Sequence, residues 1–231
     1  MFVSLTLFIG TLLLSFWASS RVKSTYLKYL EVPASSGLTG AQAAAEIMRQ
    51  AGIRDVEIVE QPGMLSDHYD PMNMRLVLSS ENFHGTSVAA LGVSAHEVGH
   101  AIQHKIAYAP LHWRMAAVGI TNIASSVVGI LPWIGMFGGF CSGKTALTIM
   151  AVGWAVIMMF NLITLPVEFD ASRRAKTILG SMGMVQSGPE ADGVNKTLNA
   201  AAFTYVAAFL TSFAYMLHYL LPLLGGSRDE E

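Results

Sequence analysis

The stretch Ser94-Ala-His-Glu-Val-Gly-His-Ala101 carries two histidines four residues apart, with a glutamate directly after the first. On an α-helix, positions i and i+4 share one face. His96 and His100 can therefore each turn one imidazole nitrogen to a single metal ion. Glu97 then holds a carboxylate beside the water that such a metal would activate. Two imidazole ligands and an adjacent carboxylate base are the working parts of zinc-dependent hydrolysis. The surroundings suit a helix: no proline interrupts residues 84–108, and Ala89, Ala90, Gly92, Ala95, Gly99 and Ala101 are small enough for close packing. The plain alternative is a pair of buried histidines without a metal; the spacing and the neighbouring Glu97 weigh against it.

A catalytic zinc takes three protein ligands and keeps one position open. His104 lies about 12 Å along the helix axis from His96, too far for one metal to span. The positions six and about twenty residues after His100, where some zinc enzymes carry the third ligand, hold Ile106 and Ile120. No Asp or Glu occurs between Glu97 and Glu168. The first carboxylates beyond the motif are Glu168 and Asp170, about 200° apart around a helix, so that only one faces the metal. Asp170 has Arg173 and Arg174 at i+3 and i+4 for pairing. Glu168 has neither, and is the expected third ligand to one Zn2+ per chain. A second donor for the developing oxyanion is also wanted. Tyr205, His84 and His68 are candidates, although an interfacial aromatic and two loop histidines are the simpler readings. His112 and His218 read as interfacial.

The elements that must position these groups are mostly apolar. Of 231 residues, 52% are hydrophobic and 13% charged, against about 25% charged in soluble domains; mean hydropathy is +0.46. This predicts a mainly α membrane protein. Residues 2–18 are an uncharged apolar run, and Arg21, Lys23 and Lys28 follow rather than precede it, which favours a retained anchor over a cleaved signal. Further apolar runs at about 115–138, 145–167 and 200–224 are each long enough to span a bilayer. Gly138 to Lys144 separates the first two, polar residues 168–199 the last two, and a short charged tail, Ser227 to Glu231, closes the chain.

Between the anchor and the second run lies a small α+β part. Val32 to Gly37 reads as a linker. Thr39 with Gln42 forms a capping box for a helix to about Gln50, with Ala43, Ile47 and Ala51 as its apolar stripe. Strands are expected over Asp55–Glu60 and Arg75–Ser79, with turns at Pro62-Gly63 and Asp70-Pro71. The 75–79 strand either forms an edge that pairs with an extended peptide or belongs to a structural sheet. A hydroxyl cap from the Gly85-Thr86-Ser87 segment starts the metal helix, which continues through His104. The organisation expected is an anchor at 1–20, a catalytic part at 21–110 and membrane helices over 111–231, the third-ligand helix lying at 166–180.

Twelve of the fourteen Lys and Arg fall in 19–114 and 168–199; only Lys144 and Arg228 do not. The positive-inside rule then puts both segments, and the metal site, on the cytoplasmic side of a multi-pass cell-membrane protein. The net charge of −2 gives no nucleic-acid footprint. A single cysteine, Cys141, excludes an internal disulfide framework or a cysteine-rich zinc site.

Three segments, Asp67-His-Tyr-Asp-Pro71, Gly85-Thr-Ser-Val-Ala-Ala-Leu-Gly-Val-Ser-Ala-His-Glu-Val-Gly-His-Ala-Ile-Gln-His104 and Val167-Glu-Phe-Asp-Ala-Ser-Arg-Arg-Ala175, resemble the YugP-like family of bacterial membrane zinc metallopeptidases. The likeness extends over most of the chain. More distantly it is similar to HtpX-type membrane proteases and CAAX prenyl proteases. The resemblance implies a zincin-like catalytic part, His96, His100 and Glu168 as ligands, Glu97 as base, and a peptide or membrane-protein substrate. In one respect the chain departs: the HtpX pattern carries an aspartate four residues after its ligand glutamate, where Ser172 stands. A membrane scaffold with a structural zinc is the alternative, and an intact Glu97 argues against it. A zinc transporter would want ionisable groups in mid-span; His218 is nearly alone there.

Overall fold

The structure, a computed structural model, describes residues 2–138 and 143–225. Residues 139–142, with Cys141, and the tail, with Arg228, lie outside the described residues. The elements in order are α1 (Phe2–Leu30), α2 (Gly40–Gln50), β1 (Glu57–Gln61), β2 (His68–Asp70), β3 (Arg75–Ser79), α3 (Ser80–His84), α4 (Val88–Lys105), α5 (Ala109–Gly138), α6 (Gly143–Ser181) and α7 (Pro189–Gly225). By length and composition, α1, α5, α6 and α7 can cross a membrane. The protein is a mainly α membrane protein with a small sheet. The helices outrun the apolar stretches that announce them. At 39 residues, α6 extends roughly 58 Å, about twice a bilayer core.

The chain divides into two units. One contains the residues up to Trp17, Trp113–Leu165 and those from Tyr205 on. Its large apolar side chains, among them Phe16, Ile123 and Trp133, face outward. Between its helices the contacts are small or polar: Gly153 accommodates the Val128 side chain, Trp154 stacks on Tyr215, and the Asn161 amide donates to Ser212 Oγ at 3.0 Å. Such contacts replace the hydrophobic drive that lipid removes.

The other unit, Ala18–His112 with Pro166–Thr204, holds the sheet, α4 and the polar ends of the long helices. Its core is built by Tyr26 of α1, Ile47 of α2, Leu76 and Leu78 of β3, Leu91 and Val98 of α4, Leu179 of α6 and Leu198 of α7. The expected capping box is present: Gln42 N–H donates to Thr39 Oγ1 at 3.2 Å and Thr39 N–H to Gln42 Oε1 at 2.9 Å. Sheet order is β1-β3-β2, with β1 parallel and β2 antiparallel to β3. The 75–79 strand is therefore the central one. Its backbone bonds are taken on both sides, and it is not available as a substrate edge. Leu76 through Ser79 are all buried, as a covered central strand requires.

Two sets of bonds fix the start of α4, and a third ties together the elements beside it. The segment read as a linker is pinned to its start: Ala34 N–H donates to Thr86 O and Val88 N–H to Val32 O, each at 2.9 Å. The Ser87 hydroxyl accepts from Ala90 N–H at 3.1 Å. Asp67 accepts from Ser79 N–H (2.7 Å), Ser79 Oγ (3.1 Å) and Asn82 Nδ2 (2.9 Å). Asn82 accepts in turn from the buried Tyr26 hydroxyl at 2.9 Å.

The remaining requirement is the approach of α6 to α4. A Cβ on Gly99 would lie 2.9 Å from the Ala171 carbonyl oxygen, so only glycine permits this spacing. Gly99→Ala is expected to force the helices apart at a cost of about 1–3 kcal/mol, seen as a lowered thermal midpoint. Gly119→Ala, where nothing lies within 4 Å, should be neutral or mildly stabilising.

Candidate metal centre

Residues on α4 one turn apart and a residue on α6 converge. His96 Nε2 lies 3.3 Å and His100 Nε2 3.6 Å from the same Glu168 Oε2. The two rings meet nearly edge-on, centroids 4.8 Å apart and planes at 85°. Around a tetrahedral zinc with ligand bonds of about 2.0–2.1 Å, ligand atoms stand roughly 3.3–3.4 Å from one another. The two distances to Glu168 are close to those edges, and the ligand atoms of all three residues lie within 4.8 Å of one another, so the group could hold a metal ion. His100 and Glu168 are buried, and Glu168 is 2% exposed. Glu97, next along α4, is also buried, and its charge acts on His100.

The far nitrogens of both imidazoles are engaged. His96 Nδ1 is 3.1 Å from Ser172 Oγ, and His100 Nδ1 is 3.0 Å from Gln103 Oε1. Gln103 donates through Nε2 to the Val167 carbonyl at 2.8 Å and to Asp170 Oδ2 at 2.9 Å. Asp170 also accepts from Arg174 Nε at 2.6 Å and from Arg173. The sequence points to the arginine pairs and misses Gln103, although its i+3 spacing from His100 was a usable signal. Ser172, one turn after Glu168 on α6, reaches His96.

The other expected residues are engaged elsewhere. The His68 ring bonds the Ser66 carbonyl at 2.8 Å, and His84 pairs with Glu60 at 3.2 Å. His104 shares a 2.8 Å bond with the Tyr69 hydroxyl. Tyr205 belongs to the membrane unit and is half-buried.

A paired-histidine helix, a carboxylate from a second long helix and four membrane-length helices define a class, and sequence comparison agrees. The chain belongs to the family described as "Putative neutral zinc metallopeptidase", whose profile matches residues 4–223. It is 43% identical over 233 residues to "Putative membrane protease YugP" of Bacillus subtilis (strain 168), covering all of this chain and 99% of that protein. No solved structure matches it significantly.

Burial opposes a charged His100, but the Glu168 carboxylate outweighs it, helped by Glu97 and Gln103, so His100 holds its proton to higher pH than usual. In metal-free protein this contribution to stability is present at low pH and is lost as pH rises through the folded value. Metal binding needs the neutral ring and takes the opposite sign. Zinc affinity is expected to weaken on acidification, starting above the ordinary imidazole value of about 6.5. Chelator-buffered titrations across that range check this.

Proposed function

We propose that this protein is a membrane-bound zinc peptidase in which His96, His100 and Glu168 hold one Zn2+ and Glu97 is the general base. The observation that carries the reading is the convergence of His96, His100 and Glu168, whose ligand atoms lie within 4.8 Å of one another, with Glu97 next to His96 in the chain. A zinc ion held there supplies a Lewis acid that acidifies water and polarises a peptide carbonyl. Glu97 takes the proton from the attacking water and passes it to the leaving amine. Glu168 brings negative charge to the site, and Ser172 and Gln103 hold the two imidazoles in place.

A structural zinc in an inactive scaffold is the lesser reading. Structural sites close the metal with four protein ligands, whereas the group found among the described residues has three. The substrate is a peptide or membrane protein, met at a bilayer. Glu97→Gln is expected to keep about one zinc per chain and lower cleavage of casein or a membrane-protein reporter by roughly 10²–10⁴-fold. Equal cleavage by variant and wild type would remove Glu97 from the mechanism.

The lysine and arginine distribution supports a cytoplasmic active site. Met72, on the site's own unit, is 83% exposed. Met72→Cys, in a chain whose sole cysteine is removed by Cys141→Ser, should resist a membrane-impermeant maleimide in intact cells. It should react once the cells are permeabilised. Labelling in intact cells would reverse the orientation.

A further inference from the structure

We propose that Gln103 is a positioning residue of the metal centre: anchored by Asp170 and the Val167 carbonyl, its amide oxygen selects the His100 tautomer that presents an Nε2 lone pair. The inference rests on the metal-site reading above and adds to it a residue that motif spacing does not identify.

An amide has a donor end and an acceptor end. The Gln103 nitrogen faces two acceptors, a carbonyl oxygen at 2.8 Å and a carboxylate oxygen at 2.9 Å. Both of its N–H groups are used, which fixes that end as the nitrogen. The other end is then the oxygen, and it meets His100 Nδ1 at 3.0 Å. An amide oxygen only accepts, so Nδ1 carries the hydrogen. In the neutral ring this leaves Nε2 with its lone pair, and Nε2 is the atom turned toward Glu168. Gln103 is fully buried, so no water takes over its bonds. A flipped amide would set its oxygen against both the Asp170 carboxylate and the Val167 carbonyl, three buried acceptors with no donor among them.

Asp170 gives this chain its direction. Arg174 and Arg173 hold the carboxylate, the carboxylate holds the amide nitrogen, and the amide oxygen holds the imidazole. His96 has no equivalent: the Ser172 hydroxyl beside it both donates and accepts, so it steadies the ring without choosing a tautomer.

The test measures zinc affinity of detergent-purified full-length protein by chelator competition, and the visible spectrum of its Co2+ form. Gln103→Ala should weaken zinc binding about 10–100-fold and alter the cobalt bands. Gln103→Glu should do at least as much, because it sets two carboxylates against each other. Adding Asp170→Asn to Gln103→Glu restores a donor on one of the two sides where the new carboxylate meets an acceptor, the Val167 carbonyl being unchanged, while Nδ1–H still meets an acceptor. The double variant should bind zinc measurably more tightly than Gln103→Glu. Should Gln103→Ala fail to fold, the comparison of Gln103→Glu with the double variant carries the test. Wild-type affinity and spectrum in Gln103→Ala, or no recovery in the double variant, would overturn the positioning role and leave the metal site intact. Wild-type protein that binds no zinc would overturn the metal-site reading, and this inference with it.

Discussion

The constraint on which the site depends is the burial of the Glu168 carboxylate. A carboxylate at 2% exposure loses several kcal/mol of hydration and is tolerated only with partners of opposite or complementary character. Two imidazoles from α4 provide them. This requires α6 to run close to α4, and the smallest residue has to lie between: Gly99 against the Ala171 backbone. Once the two helices lie at that distance, Ser172 and Asp170 reach His96 and Gln103 without further adjustment. Positions 168 and 172 share one face of α6, while Asp170, further round it, meets the side chain of Gln103 one turn beyond the histidine pair.

Several other parts of the polar unit hold α4 in place. Its first turn is capped by Ser87 and bonded to the chain segment after α1. Its packed face lies on β2, β3 and α2 through small residues and aliphatic side chains. Asp67 joins the β2 approach to β3 and α3 by three accepted bonds, and Tyr26 extends that network to α1. A site read at a resolution of tenths of an ångström needs supports of this kind, because a loosely held imidazole loses metal affinity before it loses contact.

The parts legible in the sequence are those decided by local rules. The His96/His100 pairing follows from helical period alone, the Thr39 capping box from a four-residue pattern, and the Ser87 hydroxyl cap from the residues preceding an apolar-periodic helix. Glu168 was readable for a rarer reason: the 70 residues before it contain no carboxylate, and the other nearby acid had arginine partners in reach. What was not legible depends on pairing across the chain. The central place of β3 is set by β1 and β2 together, and β2, three residues long, is too short to show a period. The one-turn helix α3 has the same difficulty. Gln103 resembles any polar residue on a helix until Asp170 and Val167, more than sixty residues away, are seen beside it. Apart from the expected helix at 166–180, the polar stretches next to the apolar runs read as separators because charge marks the membrane boundary, whereas the helices continue through that boundary on backbone hydrogen bonds that do not depend on it.

The link between Asp170 and His100 is an amide and not a direct carboxylate contact, and this bears on chemistry. A carboxylate bonded straight to a metal-ligating imidazole fixes its orientation and also raises its basicity, giving the metal more electron density. Gln103 keeps the first effect and dilutes the second, because it passes on geometry through a neutral group while the full charge stays one residue further out, neutralised by Arg174 and Arg173. Glu168 is then the only anionic member of the three-residue group. A divalent ion held by that group would retain net positive charge from these three ligands, which is the condition for acidifying water and polarising a carbonyl. A site built only to hold zinc would gain from the more basic ligand set. A neutral spacer of this kind would favour an electrophilic metal over a tightly neutralised one.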